Sequence, residues 1–161
     1  MLMPHRFVRL AIAIIGLPVA LRSLQPWKLF VRITADERLP PGARSTHCGD
    51  FGGRIHPTSG VARLVTLADG AQILRLETLH TTLGPRLRVW LSEAPVDDAR
   101  FPWRGIARST HVDLGRLRAN RGNADYAVPN GTDTDTLSSV ILWCERFSAP
   151  FGAAQLHPRI Q

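Results

Sequence analysis

GVARLVTLADGAQILRLE, residues 60–77, decides the fold class. Val61, Arg63, Val65 and Leu67 fall on one side of an extended chain, with Ala62, Leu64 and Thr66 on the other. Period-two alternation of this kind belongs to a half-buried strand. The ADG at 68–70 is a tight turn, so AQILRLE returns as the second arm of a hairpin.

The pattern continues on both sides. GDFGGRIH precedes the hairpin as a candidate strand, ended by HPTSG. RLRVWLS follows after HTTLGP, where Gly84 and Pro85 set the start of the strand. VDLGRL and ADYAVP are two further short strands, and NRGN at 120–123 reads as a turn between them. SSVILWCERF is the longest apolar strand, and FGAAQL closes the domain. Val140, Leu142 and Cys144 share one face of that strand, taken as its core face. Ile141, Trp143 and Glu145 share the other. Short strands separated by Gly and Pro turns predict an all-β sandwich or barrel-like antiparallel domain of about seven to nine strands over residues 48–158.

Before the domain stand two other segments. Residues 1–28 open with His5, Arg6 and Arg9 and continue uncharged from Leu10 to Leu21. A basic start before an apolar run is a targeting signal. No small-x-small cleavage pair follows it, so an uncleaved signal anchor, an N-terminal hydrophobic transmembrane helix, is expected ahead of a cleaved signal peptide or a buried soluble helix. That places the domain outside the cytoplasm, facing the periplasm or cell exterior, with the membrane as partner. Residues 29–47, LFVRITADERLPPGARSTH, read as a linker.

The chain has 161 residues, a formal charge of +7 and a pI near 11.1. Its 20 basic residues are nearly all arginine, Lys28 being the one lysine, and they are scattered singly. Without a basic run or a nucleic-acid-binding motif, no nucleic-acid partner is expected. Neither a Gly-x-Ser-x-Gly elbow nor a Cys-x-x-Cys-His occurs, which argues against a hydrolase and an attached haem. The histidines at 47, 56, 80, 111 and 157 show no ligand spacing, and both methionines are N-terminal. No metal or other cofactor is evident. Asp133 and Asp135 lack the rest of a calcium loop.

Four segments, GDFGGRIHPTSGVARLV, ILRLETLHTTLGPRLRVWLS, VDLGRLRANRGNADYAVP and SSVILWCERFSAPFGAAQL, occur in an order that resembles the DM13 domain, from about Gly49 to Leu156. ITADERLP resembles the stretch before this domain in small membrane-anchored bacterial members. Arg86, Leu79 and Leu137 depart from the family's usual residues, and Cys48 lies outside its motif. The resemblance implies an extracytoplasmic β domain with an electron-transfer role centred on the cysteine of VILWC, here Cys144, and a redox or envelope protein as partner.

The residues themselves leave three readings of Cys144: buried filler, a redox thiol, or half of a Cys48–Cys144 disulfide. A reactive thiol needs a nearby cation and partial exposure. Arg146, two residues on, is the candidate cation. A disulfide across so long a loop contributes roughly 4–5 kcal/mol in the chain-entropy model. Tyr126, the only tyrosine, reads as a packed strand residue or, with Trp143 and Arg146, as part of a ligand surface. The function expected is therefore a tethered redox domain, not a stand-alone enzyme. The competing expectation is a non-catalytic binding module for protein or carbohydrate.

Overall fold

The computed structural model describes residues 32–97 and 103–159. The expected anchor of residues 1–28 lies outside the described residues. Among those described, no helix is long and apolar enough to cross a membrane.

The hairpin forms as its alternation predicts. β3 (Ser59–Thr66) and β4 (Gln72–His80) pair antiparallel, closing at Thr66 opposite Gln72. Gly70 takes φ +84° in the turn and donates its N–H to the Leu67 carbonyl at 3.0 Å. That left-handed position is one a glycine adopts without steric cost. Ala62, Leu64, Leu74 and Leu76 point inward and are buried.

Eight more strands extend the sheet. They are β1 (Thr34–Asp36), β2 (Arg44–Gly53), β5 (Leu87–Ser92), β6 (His111–Arg116), β7 (Arg121–Ala127), β8 (Ser139–Cys144), β9 (Ala149–Gln155) and β10 (His157–Pro158). A single helical turn, α1 (Trp103–Ile106), precedes β6. The spatial order is β1-β7-β4-β3-β2-β9-β8-β5-β6, with β10 also beside β2.

β2 joins the two halves. Its residues from Arg44 to Asp50 pair with β3, and Phe51 to Gly53 pair with β9. The sheet therefore curls over at β2 and closes on its own core. Leu64, Leu74, Leu76 and Tyr126 from one half meet Val89, Val140, Leu142, Cys144 and Phe151 from the other in one apolar cluster. The all-β expectation holds, as one curled, barrel-like sheet.

Three sequence expectations differ in detail. First, the stretch read as linker contains β1 and the start of β2. β1 lies parallel to β7, with Thr34 opposite Arg121. It is only three residues long, too short for a periodic signal. Second, residues 121–123 open β7 rather than making a turn. Gly122 has φ +90°, and a Cβ there would lie 2.0 Å from the Ala35 carbonyl oxygen. The glycine thus serves close strand approach. Third, every residue of β8 is buried. Its second face packs Ile141 and Trp143 with Trp90, Ala94, Val96, Ile106 and Ala153 in a separate cluster that includes α1.

The curl at β2 yields a paired prediction. A Cβ on Gly49 would lie 1.7 Å from the Gln155 carbonyl oxygen, whereas one on Gly52 has its nearest neighbour at 4.0 Å. Gly49→Ala should cost about 1–3 kcal/mol through forced backbone movement. Gly52→Ala should be nearly neutral. Urea unfolding of both variants checks the contrast, and equal midpoints would refute it.

Candidate functional site

Cys144 ends β8, with Leu87 of β5 on one side and Ala149 of β9 on the other. It is fully buried. Two turns close over its sulfur. One is the Gly84–Arg86 approach to β5, where the Pro85 carbonyl accepts the Cys144 S–H at 3.2 Å. The other is the turn at 145–148, whose Phe147 and Arg146 backbone N–H groups lie close enough to the sulfur to favour its thiolate. The turns are tied together, since Glu145 N–H donates to the Arg86 carbonyl at 3.2 Å.

Each turn carries a non-glycine residue in the left-handed region: Arg86 at φ +58° and Ser148 at φ +48°. Such a conformation costs an L-residue about 1–2 kcal/mol. Only three described non-glycine residues have positive φ, and two of them flank this one sulfur. Strained backbone persists only where surrounding structure holds it, and it concentrates at functional sites.

The electrostatics oppose each other. Burial pushes the Cys144 thiol above its ordinary value, and the two backbone N–H groups pull it down less strongly. Arg146 was expected to act through its guanidinium. Its side chain is exposed, and its amide helps the thiolate more than its charge does. Glu145 acts in the opposite sense. The closed state is therefore a neutral thiol. A thiolate formed there would be favoured by the Phe147 and Arg146 backbone N–H groups.

Of the three readings of Cys144, the Cys48–Cys144 bridge is absent from the structure, where both cysteines are free thiols. The register explains why. Cys144 sits opposite Ala149 at one end of β9, while Cys48 sits opposite His157 beyond the other end. Eight residues along the strand direction amount to roughly 25 Å. A disulfide needs Cα atoms within about 7 Å.

The remaining predicted residues separate. Trp143 is buried on the far face of β8, stacked on Trp90 with centroids 4.7 Å apart. Trp90 stacks in turn on His111 at 3.9 Å. Tyr126 is in the core. Its hydroxyl accepts the Arg118 N–H at 3.0 Å, and the Arg118 guanidinium lies 4.8 Å from its ring centroid. Burial raises the Tyr126 phenol. Tyr126, Trp143 and Arg146 thus share no common surface. Among the described residues, no three His, Cys, Asp or Glu side chains converge to hold a metal. Pro85, Arg86 and Ser148 were missed as site residues. The Gly84-Pro85 pair signals a turn, but nothing local signals its contact with a cysteine.

The thiol's raised value makes stability depend on pH. The folded state holds the Cys144 proton more tightly than the unfolded chain does. The contribution is complete below the unfolded thiol value of about 8.5 and is lost as pH climbs through the raised folded value. Cys144→Ala should cost about 1 kcal/mol near neutrality. The gap to wild type should then narrow from about pH 8.5 upward. Urea midpoints between pH 7 and 10 test this; a constant gap would contradict it.

Comparison with known proteins agrees with the sequence resemblance. No curated protein and no solved structure gives a significant match. A family model described as "Electron transfer DM13" matches residues 50–156, which span the sheet from within β2 to the end of β9 and include the Cys144 site. The chain belongs to the DM13 electron-transfer family.

Proposed function

We propose that this chain is an electron-transfer domain of the cell envelope in which Cys144 is a gated thiol. The observation that carries the reading is the closure over Cys144: a buried sulfur hydrogen-bonded to the Pro85 carbonyl, between two turns that each hold a strained residue. The family's electron-transfer description supports the redox role. The basic and apolar start of the chain supports tethering by an N-terminal segment, with the domain facing the periplasm or exterior.

In the closed state the S–H is spent on the Pro85 carbonyl and the sulfur meets no solvent. Opening of the 145–148 turn exposes it. The turn is suited to open first: its four residues are exposed and Phe147 buries only about half its surface (49% exposed), while β8 is buried throughout. Once open, the thiol loses its proton to water and attacks a partner disulfide. One S–S bond forms as another breaks, and the partner's second sulfur leaves as a thiolate with the electron pair. A single cysteine carries half of this two-electron exchange, so the partner protein supplies the resolving thiol.

The full burial of Cys144 favours a second reading, a non-catalytic binding module in which the cysteine is filler. One experiment separates the two. In a Cys48→Ala chain, an aromatic disulfide reagent such as dithiobis-nitrobenzoate reports Cys144 without denaturant. A gated thiol reacts slowly while the protein stays folded. Ser148→Gly relieves the closed turn and should slow the reaction roughly three- to tenfold. Reaction only on global unfolding, with no effect of Ser148→Gly, would leave the binding module.

A further inference from the structure

The second cysteine has surroundings of a different kind. Cys48 lies on the β2 face opposite β10, half-buried, in a cavity of about 450 Å³. Cys48, Asp50, Arg63, Asp97 and His157 all line it. Cys48 and His157 are directly opposed across the antiparallel β2–β10 pair. Side chains of directly opposed residues stand on one face with Cβ atoms about 4.5–5.5 Å apart. That register places the thiol and the imidazole on one face of the β2–β10 pair, both lining the cavity. The imidazole is oriented by a third group, since His157 Nε2 lies 3.3 Å from an Asp97 carboxylate oxygen.

The segment that carries Asp97 is fixed in place. Val96 N–H donates to the Gln155 side chain at 2.9 Å, and the Arg54 guanidinium donates to the Val96 carbonyl. Across the other edge of β2, Arg63 is opposed to Cys48, and its guanidinium is within electrostatic reach of the sulfur. Glu77 holds Arg63 there at 2.6 Å. A nucleophile, a base and a group that orients the base are the parts of an activated thiol. The cavity also shows both signs of charge, Arg63 against Asp50 and Asp97.

We infer that Cys48, His157 and Asp97 form a thiol-exchange site that takes a small zwitterionic disulfide of the amino-acid type, such as cystine. This inference stands on residues outside the Cys144 closure and does not rest on the reading of Cys144. In the exchange, His157 accepts the Cys48 proton. The thiolate attacks one sulfur of the disulfide, and a new S–S bond forms as the old one breaks. The departing sulfur leaves with the electron pair and recovers the proton from His157. Cys48 is oxidised to a mixed disulfide and half of the reagent is reduced to a thiol. Arg63 suits the ligand's carboxylate, and Asp50 suits its ammonium group.

The test uses the full chain with both cysteines, incubated with cystine and read by peptide mass mapping. The expected result is cysteinylation of Cys48, roughly tenfold faster than the same residue reacts in the unfolded chain. His157→Gln should return the rate to the unfolded value. Asp97→Asn should fall between, and the double variant should be no slower than His157→Gln alone. That non-additivity is a sign of coupled action that a merely structural Asp97 would not give. Both positions are exposed, so folding is retained and is verified by thermal melting. A Cys48 rate equal to that of the unfolded chain and unmoved by His157→Gln would overturn the site. An uncharged disulfide of similar size reacting as fast as cystine would overturn the ligand class.

Discussion

The burial of β8 on both faces governs the rest of this structure. One face packs into the core between the two halves of the sheet, and the other packs under Trp90, Val96 and the short helix. A strand covered on both sides has neither face open to a partner. Cys144, as its last residue, can be approached only past the strand's end. What happens there is decided by two turns, and those turns are bound to each other and to the sulfur. The same packing that stabilises the fold therefore sets the terms on which Cys144 is reached.

The polar faces of the sheet follow a similar logic. The net charge of +7 comes from scattered arginines, yet several are committed within the fold. Arg75 is only 5% exposed. It bonds Glu77 at 3.1 Å, both carboxylate oxygens of Asp125 at 2.9 Å and the Glu37 carbonyl at 2.6 Å. This network ties β4 to β7 and to the chain just after β1. A guanidinium so fully partnered is structural; its removal would leave Asp125 without its ion-pair partner and Glu77 with Arg63 alone. Arg88 likewise pairs with Asp113 across β5 and β6. Both of these arginines serve the sheet.

The hairpin at 60–77 was legible because alternation and turn chemistry agree locally. β8 was legible as a strand, but its continuous apolar run does not say how many faces are covered. β1 was invisible, since three residues carry no period and its pairing with β7 is set by Gly122 far along the chain. The candidate site divides the same way. Cys144 stands out in the sequence, whereas Pro85, Arg86 and Ser148 act through tertiary contacts and backbone angles. The expectation of Arg146 as a flanking cation assumed that the strand continued; the chain turns after Cys144, which sends that side chain to solvent. The opposition of Cys48 and His157 also depends on β10, a two-residue strand with no signal of its own.

On the proposed function, Cys144 is reached by local opening of its turn. The most direct measurement compares two rates in the same folded protein: alkylation of Cys144 and amide hydrogen exchange at Leu142, in the middle of β8. The account predicts that the free energy of opening for Cys144 is well below that for Leu142, and that it matches the opening seen at the Arg146 and Phe147 amides. If Cys144 opens only with Leu142, in the global unfolding reaction, the thiol is sealed and the gated role is wrong.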